Sequence, residues 1–224
     1  RLVGSEMCIR DSDGIELLSR FRARRRLDIG LKYGTAFEQR IKAIQGVQRV
    51  QLAGSARRRK ETIGDLDIVV GVDPEHHDDV ASAILALQGI ADVKGAGDSK
   101  ISLILEASIF EDGFSVGHID ANVLDAIGGD DYEQLESAGT IDAQVRLVPP
   151  DMFAFTLAYF TGSKEHNIAM RQRAIDRGLR LNEFGLIPEE KAGSLKGIEA
   201  AKYSLSAMTE QEIYSHLDLQ WVPP

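Results

Sequence analysis

Residues 54–68 read GSARRRKETIGDLDI, in which a Gly-Ser pair is followed by a basic run and then by two aspartates. The preceding residues 47–52, VQRVQL, alternate in polarity and predict a strand that enters a turn at Gly54 and Ser55. Because glycine has no Cβ, such a turn lets backbone N–H groups and the serine hydroxyl approach a phosphate closely. Basic side chains that can neutralise phosphate charge follow at once: Arg57, Arg58 and Lys60.

Asp65 and Asp67 form an Asp-x-Asp pair beside the strand predicted over residues 66–70. Side chains two positions apart in a strand project from the same face, so the two carboxylates point one way while Leu66 and Ile68 face the core. Two carboxylates opposite a phosphate-binding turn are what a two-magnesium phosphoryl-transfer site requires. We therefore expect Asp65 and Asp67 to be metal ligands, for Mg²⁺ or alternatively Mn²⁺.

Each of these features alone has an ordinary explanation. An Asp-x-Asp pair is most often the solvated face of a strand, a Gly-Ser pair is usually only a turn, and arginine clusters are most often exposed or paired. The order of the features carries more information: a strand, Gly-Ser, nine residues, and then Asp-hydrophobic-Asp-hydrophobic. That order resembles the signature of the nucleotidyltransferase superfamily.

The composition is that of a globular protein with one or two domains: 224 residues, 43% hydrophobic and 27% charged. The sequence has neither an apolar run of membrane-spanning length nor an apolar stretch like that of a signal peptide, so we expect no membrane segment and a cytoplasmic location. The single cysteine, Cys8, excludes an internal disulfide and a cysteine-based zinc cluster.

Charge is distributed unevenly along the chain, whose formal net charge is −9. Residues 1–60 carry 15 basic and 6 acidic side chains, whereas residues 61–145 carry 2 and 19. A basic segment that faces phosphate and an acidic segment that holds cations would give this pattern, and so would a solvated acidic surface beside a basic helix.

Apolar spacing predicts two helices within residues 16–44, with breaks at Gly30 and Gly34, and a third helix over residues 80–87. Pro149 and Pro150 end the last predicted strand and precede a helix over residues 151–160, for which Asp151 is the expected N-cap. Besides the two strands already named, strands are predicted over residues 101–105, 116–124 and 141–148.

Two stretches narrow the resemblance to DNA polymerase family X. The pattern Gly-Ser-x-Arg-Arg-x-x-Glu-Thr-x-Gly-Asp-x-Asp, residues 54–67, is similar to the palm motif of that family, in which the turn and the second arginine hold the incoming triphosphate. Residues 159–167, YFTGSKEHN, together with Arg171 and residues 182–186, NEFGL, are similar to the thumb of the bacterial and archaeal members.

The resemblance implies roles for individual residues. The thumb turn contacts the sugar and base of the nucleotide, the following asparagine touches the base, and the arginine reaches the minor groove of the template. The implied nucleotide-binding residues are Gly54, Ser55, Arg58, Gly64, Tyr159, Phe160, Gly162 and Asn167, and the implied DNA-binding residues are Arg171 and Lys60. Without the palm motif, Tyr159 and Phe160 would be interpreted as core residues.

The resemblance also implies a third catalytic carboxylate on the strand before the thumb, in a pattern like Val-Asp-Leu-Arg-Val-Val-Pro. An ungapped alignment on Arg146 and Pro149 puts Gln144 at that position. Asp142 lies two residues earlier on the same face and is the alternative, reached by a slip or bulge of the strand; Asp120 is more remote. We expect Gln144 to occupy the position.

These inferences predict an α+β fold with a nucleotidyltransferase-type palm, containing a mixed sheet and flanking helices, followed by a small α+β thumb. Residues 1–12 match nothing in the family pattern, residues 13–148 form the helical lead-in and palm with an acidic insertion at about 106–139, and residues 149–224 form the thumb. The family's helix-hairpin-helix and phosphoesterase domains, with their lyase and exonuclease activities, are not expected.

The predicted function is that of a DNA-directed DNA polymerase, which adds dNTPs to a primer 3′-hydroxyl in gapped or primer–template DNA, as in DNA repair. The neutral Gln144 predicts impaired activity. The alternative is a weak or inactive homologue that serves as a DNA- and nucleotide-binding module. A nucleotidyltransferase for a small molecule or an RNA end is a third possibility, which the thumb motif disfavours.

Overall fold

A computed structural model describes residues 24–110, 139–192 and 198–224. Its strands are β1 (Arg25–Arg26), β2 (Val47–Leu52), β3 (Thr62–Ile63), β4 (Asp65–Val72), β5 (Ile90–Ala96), β6 (Lys100–Leu105), β7 (Ile141–Val148), β8 (Leu179–Asn182) and β9 (Gly185–Pro188). Its α-helices are α1 (Leu27–Lys42), α2 (Gly54–Arg57), α3 (His77–Leu85), α4 (Phe153–Thr161), α5 (Lys164–Ile175), α6 (Glu189–Ala192), α7 (Ile198–Ala201) and α8 (Glu210–His216). Two 3₁₀ turns, Pro74–His76 and Ala107–Phe110, complete the described elements.

A five-stranded mixed sheet in the order β2-β4-β7-β6-β5 forms the centre of the fold. Strands β4 and β7 run parallel, and the other neighbouring pairs are antiparallel. A short hairpin of β8 and β9 follows in the C-terminal part of the chain. The predicted α+β fold with a mixed sheet is therefore confirmed.

Strand β4 separates two environments, because its alternate side chains face opposite sides of the sheet. Leu66, Ile68 and Val70 pack into the larger core, which also contains residues of α1 and α3. On the other face, Val69 belongs to a second buried cluster together with Phe153 and Leu157 of α4. The face that carries Asp65 and Asp67 is thus the one on which α4 packs.

Helix α1 runs without a break through Gly30 and Gly34, so the prediction of two helices that break at these glycines is wrong. Both glycines are buried where α1 lies close to the sheet region. A Cβ on Gly30 would come within 2.6 Å of Ile63 Cδ1, and a Cβ on Gly34 within 2.9 Å of Leu52 Cδ2. These glycines permit close packing and do not end the helix.

The remaining boundaries differ from the predicted ones in small ways. Helix α4 begins at Phe153 with Met152 at its N-cap, so the prediction that Asp151 caps it is wrong; the backbone first makes a turn, in which the N–H of Met152 donates to the carbonyl of Pro149 at 3.0 Å. Strand β5 was not predicted. Its burial pattern shows why, because all its residues after Ile90 are exposed and leave no alternating apolar signal.

Some predicted features lie outside the described residues: the segment 1–12, the helix before residue 24, the strand over 116–124 and most of the insertion, including Asp120. At its described start, the insertion forms the 3₁₀ turn Ala107–Phe110, and the ring of Phe110 packs edge-on against Tyr33 at 4.9 Å. Among the described helices, none combines the length and the apolar character needed to cross a membrane.

An ion pair joins the sheet region to the C-terminal helix α8. Arg57, the last residue of α2, donates to both carboxylate oxygens of Glu210 at 2.8 and 2.5 Å and to the hydroxyl of Thr161 at 2.8 Å. The two charged side chains are only 14% and 12% exposed. A bidentate pair that is largely removed from water is costly to break, because its partner is left buried and uncompensated.

We predict that Glu210→Ala lowers the free energy of unfolding by about 3 kcal/mol, since it strands the Arg57 guanidinium. Glu189→Ala is the matched control, because Glu189 also forms a bidentate pair, with Arg180, but the two side chains are 46% and 53% exposed. That change should leave the stability nearly unchanged, because water already screens the exposed pair. Urea denaturation of wild type and the two variants measures both effects. Equal losses of unfolding free energy would show that the buried Arg57–Glu210 pair contributes no more to stability than the exposed pair.

Candidate functional site

Gly54 begins the one-turn helix α2 at the end of β2, with φ +60. A Cβ at this position would overlap Oδ2 of Asp67, and the backbone conformation itself favours glycine. The N–H of Ala53 donates to the carbonyl of Asp67 at 2.7 Å, which ties the turn to β4. The Gly-Ser turn therefore lies directly against the second aspartate, as its place in the sequence suggested.

Asp65 and Asp67 line one cleft of about 990 Å³ together with Ser55 and Arg58. Their alternation with the buried Leu66 and Ile68 confirms that both aspartates lie on the same face of β4. All the nucleotide-binding and DNA-binding candidates line this cleft too: Gly54, Ser55, Arg58, Lys60, Gly64, Tyr159, Phe160, Gly162, Asn167 and Arg171. The structure thus brings the two sequence motifs, separated by about ninety residues, to opposite walls of one cleft.

The carboxyl group of Asp67 has an unfavourable environment for its charge. Burial, and next the neighbouring Asp65 carboxylate, raise the pKa of Asp67 to about 6, against a weaker opposing effect of Arg146, Arg58 and Lys100. A cation bound beside this carboxyl group would offset the cost of its negative charge.

Arg58 is held in the wall of the cleft by the thumb motif. Its guanidinium donates to the carbonyl oxygen of Thr161, at the end of α4, and its Nε is buried without a hydrogen-bond partner among the described residues. Arg57, which the sequence also suggested for phosphate, is instead paired with Glu210. Of the two adjacent arginines, Arg58 is therefore the one that faces the cleft.

The other wall is formed by the turn between α4 and α5. Gly162 has φ +70, and the Gly162–Ser163 peptide bond is cis. The side-chain amide of Asn167 donates to the carbonyl of Tyr159 at 2.7 Å, which fixes α5 against the turn. Arg171 donates through Nε to the carbonyl of Asn167 at 3.1 Å, and it forms no ion pair with a carboxylate within the described ranges.

The register of β4 and β7 determines what lies beside the two aspartates. Asp67 is directly opposite Gln144, and Asp65 is directly opposite Asp142. The amide of Gln144 donates to Oδ2 of Asp65 at 3.1 Å. The pairing of β7 with β4 is regular throughout, so the bulge or slip that would move Asp142 to the position of Gln144 is not present.

Asp142 and Gln144 do not line the main cleft. They lie in an adjoining groove of about 650 Å³ between β7 and the β5–β6 hairpin. There Asp142 accepts a hydrogen bond from Nζ of Lys94 at 2.6 Å, with both side chains about half exposed. The carboxylate that the sequence offered as an alternative ligand is thus already paired with a cation.

In the part of the chain that the structure describes, no group of three or more His, Cys, Asp and Glu side chains is arranged to hold a metal ion. Asp65 and Asp67 are the neighbouring carboxylates on β4, Glu61 is the other acidic residue that lines the cleft among the described residues, and the amide of Gln144 beside Asp65 is neutral.

Comparison with known proteins adds independent findings. Residues 156–224 match the family model described as DNA polymerase beta thumb. The chain is 32% identical over 194 residues, 87% of its length, to a Bacillus subtilis protein named DNA polymerase/3′-5′ exonuclease PolX. It is 30% identical over 171 residues, 76% of its length, to DNA polymerase lambda of Arabidopsis thaliana.

The chain belongs to DNA polymerase family X. The matched regions span 27% and 30% of the two relatives, so this chain corresponds to less than a third of either of them. The five-stranded sheet is followed by a region that matches a family X thumb, as the sequence motifs predicted.

Three cationic residues that line the cleft were not assigned a role from the sequence: Arg24, Arg59 and Lys164. Arg24 lines the cleft and donates to Thr62 at 2.8 Å through Nε, while Lys164 lies next to the Gly162–Ser163 turn. Arg24 is distant in sequence from the motifs, and only the basic run at residues 22–26 indicated it. Lys164 lies inside the thumb motif at residues 159–167, so the motif itself could have indicated that Lys164 lies beside the turn.

We predict that Asp67→Asn makes the metal-free protein more stable at neutral pH. The pKa of Asp67 is raised, so ionising its carboxyl group costs more in the folded state than in the unfolded state. Well below its ordinary pKa of 3.8 the group is neutral in both states; the penalty grows as the pH rises from about 3.8 to about 6 and is fully present above that.

The variant should therefore gain roughly 2–3 kcal/mol relative to wild type between pH 4 and pH 7. Urea denaturation at both pH values, with EDTA present, measures the change. A stability difference that stays constant with pH would show that Asp67 does not carry this electrostatic cost.

Proposed function

We propose that this chain is a nucleotidyltransferase core that binds a dNTP and gapped or primer–template DNA, and that it transfers a nucleotide to the primer 3′-hydroxyl slowly. The observation that carries the proposal is the single cleft in which Asp65 and Asp67 face the Gly54-Ser55 turn and the thumb turn. Membership of DNA polymerase family X, through relatives named as polymerases, supports the same conclusion.

The dNTP is proposed to lie between the two walls of the cleft. Ser55 and the backbone of α2 offer hydrogen-bond donors to phosphate oxygens, and Arg58 adds a charged donor beside them. Tyr159, Phe160 and Gly162 supply the wall that the sugar and base would contact, and Asn167 is the candidate for a contact to the base edge. Such a site acts mainly by positioning the reactants and neutralising their charge.

Asp65 and Asp67 would hold a divalent cation, Mg²⁺ or Mn²⁺. Their oxygen donors suit these ions, and the raised pKa of Asp67 indicates that a cation would relieve an existing charge penalty. When bound, the ion would neutralise negative charge on the triphosphate. The position opposite Asp67 holds the amide of Gln144, which is a poor replacement for a third carboxylate.

DNA is proposed to follow the cationic rim of the cleft. Arg171 on α5 and Lys60 after α2 lie on its two sides, and neither is engaged in an ion pair with any residue that the structure describes. Contacts of this kind attract phosphates without selecting a sequence. The cytoplasmic location expected from the sequence stays a prediction.

A second candidate function is that of a DNA- and nucleotide-binding module that does not transfer nucleotides efficiently. The position of Gln144 favours it, because the amide donates to Asp65 at the place where a carboxylate would complete the site. Both functions require the same cleft, and they differ only in the rate of transfer.

We predict that Gln144→Asp raises the rate of primer extension on gapped DNA with Mg²⁺ by at least tenfold, equivalent to about 1.4 kcal/mol in the barrier. The physical reason is the third anionic oxygen ligand that aspartate adds beside Asp65. Single-turnover extension with a labelled dNTP measures the rate, and Gln144→Asn is the matched control that shortens the side chain without adding charge.

The proposal of slow transfer fails if wild-type extension is fast, Gln144→Asp gives no gain, and Asp142→Asn abolishes the activity. That set of results would make Asp142 the third carboxylate, after release from Lys94. If neither wild type nor Gln144→Asp extends a primer while both bind DNA and dNTP, the binding-module function is the correct one.

Arg58→Ala should weaken dNTP binding by about 1.5–3 kcal/mol, or roughly ten- to 150-fold in Kd, since a charged hydrogen bond to phosphate is lost. A fluorescence or calorimetric titration with dNTP and Mg²⁺ gives the affinity. Arg180→Ala, which removes an exposed arginine that is paired with Glu189, is the control. Unchanged affinity in Arg58→Ala would remove this residue from the phosphate site.

A further inference from the structure

Arg59, at the tip of the basic turn after α2, has a left-handed backbone conformation with φ +54. Two hydrogen bonds fix the turn: the N–H of Arg59 donates to the carbonyl of Ala56 at 3.1 Å, and the N–H of Lys60 donates to that of Ser55 at 3.1 Å. In this region an arginine is strained relative to glycine, because its Cβ approaches the neighbouring carbonyl. The backbone alone would therefore favour glycine at residue 59.

The side chain of Arg59 does not compensate for this strain through contacts in the fold. It is exposed at the mouth of the cleft, and it forms neither a hydrogen bond nor an ion pair with any residue in the described ranges. The other arginines that line the cleft are engaged: Arg24 with Thr62, Arg58 with the carbonyl of Thr161, and Arg171 with the carbonyl of Asn167. The guanidinium of Arg59 is thus available to a ligand outside the chain.

The residues around Arg59 indicate what charge and what length a ligand must have to reach it. Lys60 beside it is also exposed. Glu61, the next residue, is acidic and also lines the cleft. Arg58 and Ser55, which we assign to the triphosphate, are only partly exposed, whereas Arg59 lies at the solvent-facing rim. A ligand that meets Arg59 must extend out of the cleft, as a nucleic-acid backbone does and a single nucleotide does not.

We propose that Arg59 binds a backbone phosphate of the DNA that occupies the cleft, adding a contact beyond Lys60 and Arg171. The inference rests on the proposed function, because it presumes that the cleft holds DNA. A left-handed arginine kept at a cost in stability, exposed and without a partner, is the arrangement expected when a residue serves binding and not folding. An arginine at such a site can contact a phosphate through two N–H groups.

The test is the salt dependence of gapped-DNA binding by wild type, Arg59→Gly and Arg59→Lys, measured by fluorescence anisotropy. Loss of one phosphate contact should reduce the slope of log K against log salt by about 1 in Arg59→Gly, on any DNA sequence. Arg59→Lys should retain most of the slope. The Tm of Arg59→Gly should rise by about 2–4 °C, since the strain is relieved.

Arg180→Ala controls for the loss of one exposed positive charge outside the cleft and should leave the slope unchanged. An unchanged slope in Arg59→Gly, or a loss equal to that of Arg180→Ala, overturns the proposal. A loss of dNTP affinity with intact DNA binding also overturns it, because the phosphate would then be that of the triphosphate. If wild type itself does not bind gapped DNA, the proposed function fails together with this inference.

Discussion

The parallel pairing of β4 with β7 is the constraint on which the site depends. It fixes Asp65 and Asp67 on one face and places Asp142 and Gln144 directly opposite them. Because side chains alternate strictly along a strand, a shift of one residue would turn the aspartates into the core and expose Leu66 and Ile68. The burial of Leu66 and Ile68 therefore fixes the face of β4 on which the two carboxylates lie.

The second wall of the cleft depends on contacts between distant parts of the chain. Arg57 and Arg58 both bond to Thr161, and Arg57 also binds Glu210, so the turn after β2 is joined to α4 and α8. Arg146 of β7 stacks on the ring of Phe160 at 4.4 Å and also acts on the charge of Asp67. Arg58 and Arg146 thus both contact the thumb motif and act on the charge of Asp67.

The sequence alone predicted much of this arrangement, because strand alternation is a local property. Asp65 and Asp67 could be placed on one face, and the family resemblance placed the YFTGS turn beside them. Glycines were harder to interpret, since Gly30 and Gly34 look like helix breaks until the packing of Ile63 and Leu52 against α1 is known. Pairings across the chain, such as Arg57 with Glu210 and Lys94 with Asp142, depend on tertiary contacts that no local pattern encodes.

We propose that Asp65 and Asp67, with a bound triphosphate, would hold one divalent cation, and a direct count of bound ions tests this proposal. Electron paramagnetic resonance of Mn²⁺, titrated into wild type with a dNTP and gapped DNA whose primer lacks a 3′-hydroxyl, measures the number of tightly bound ions. We expect one tightly bound Mn²⁺ per chain in wild type and none in Asp67→Asn. Two tightly bound ions in wild type, or one Mn²⁺ still tightly bound in Asp67→Asn, would contradict the proposal.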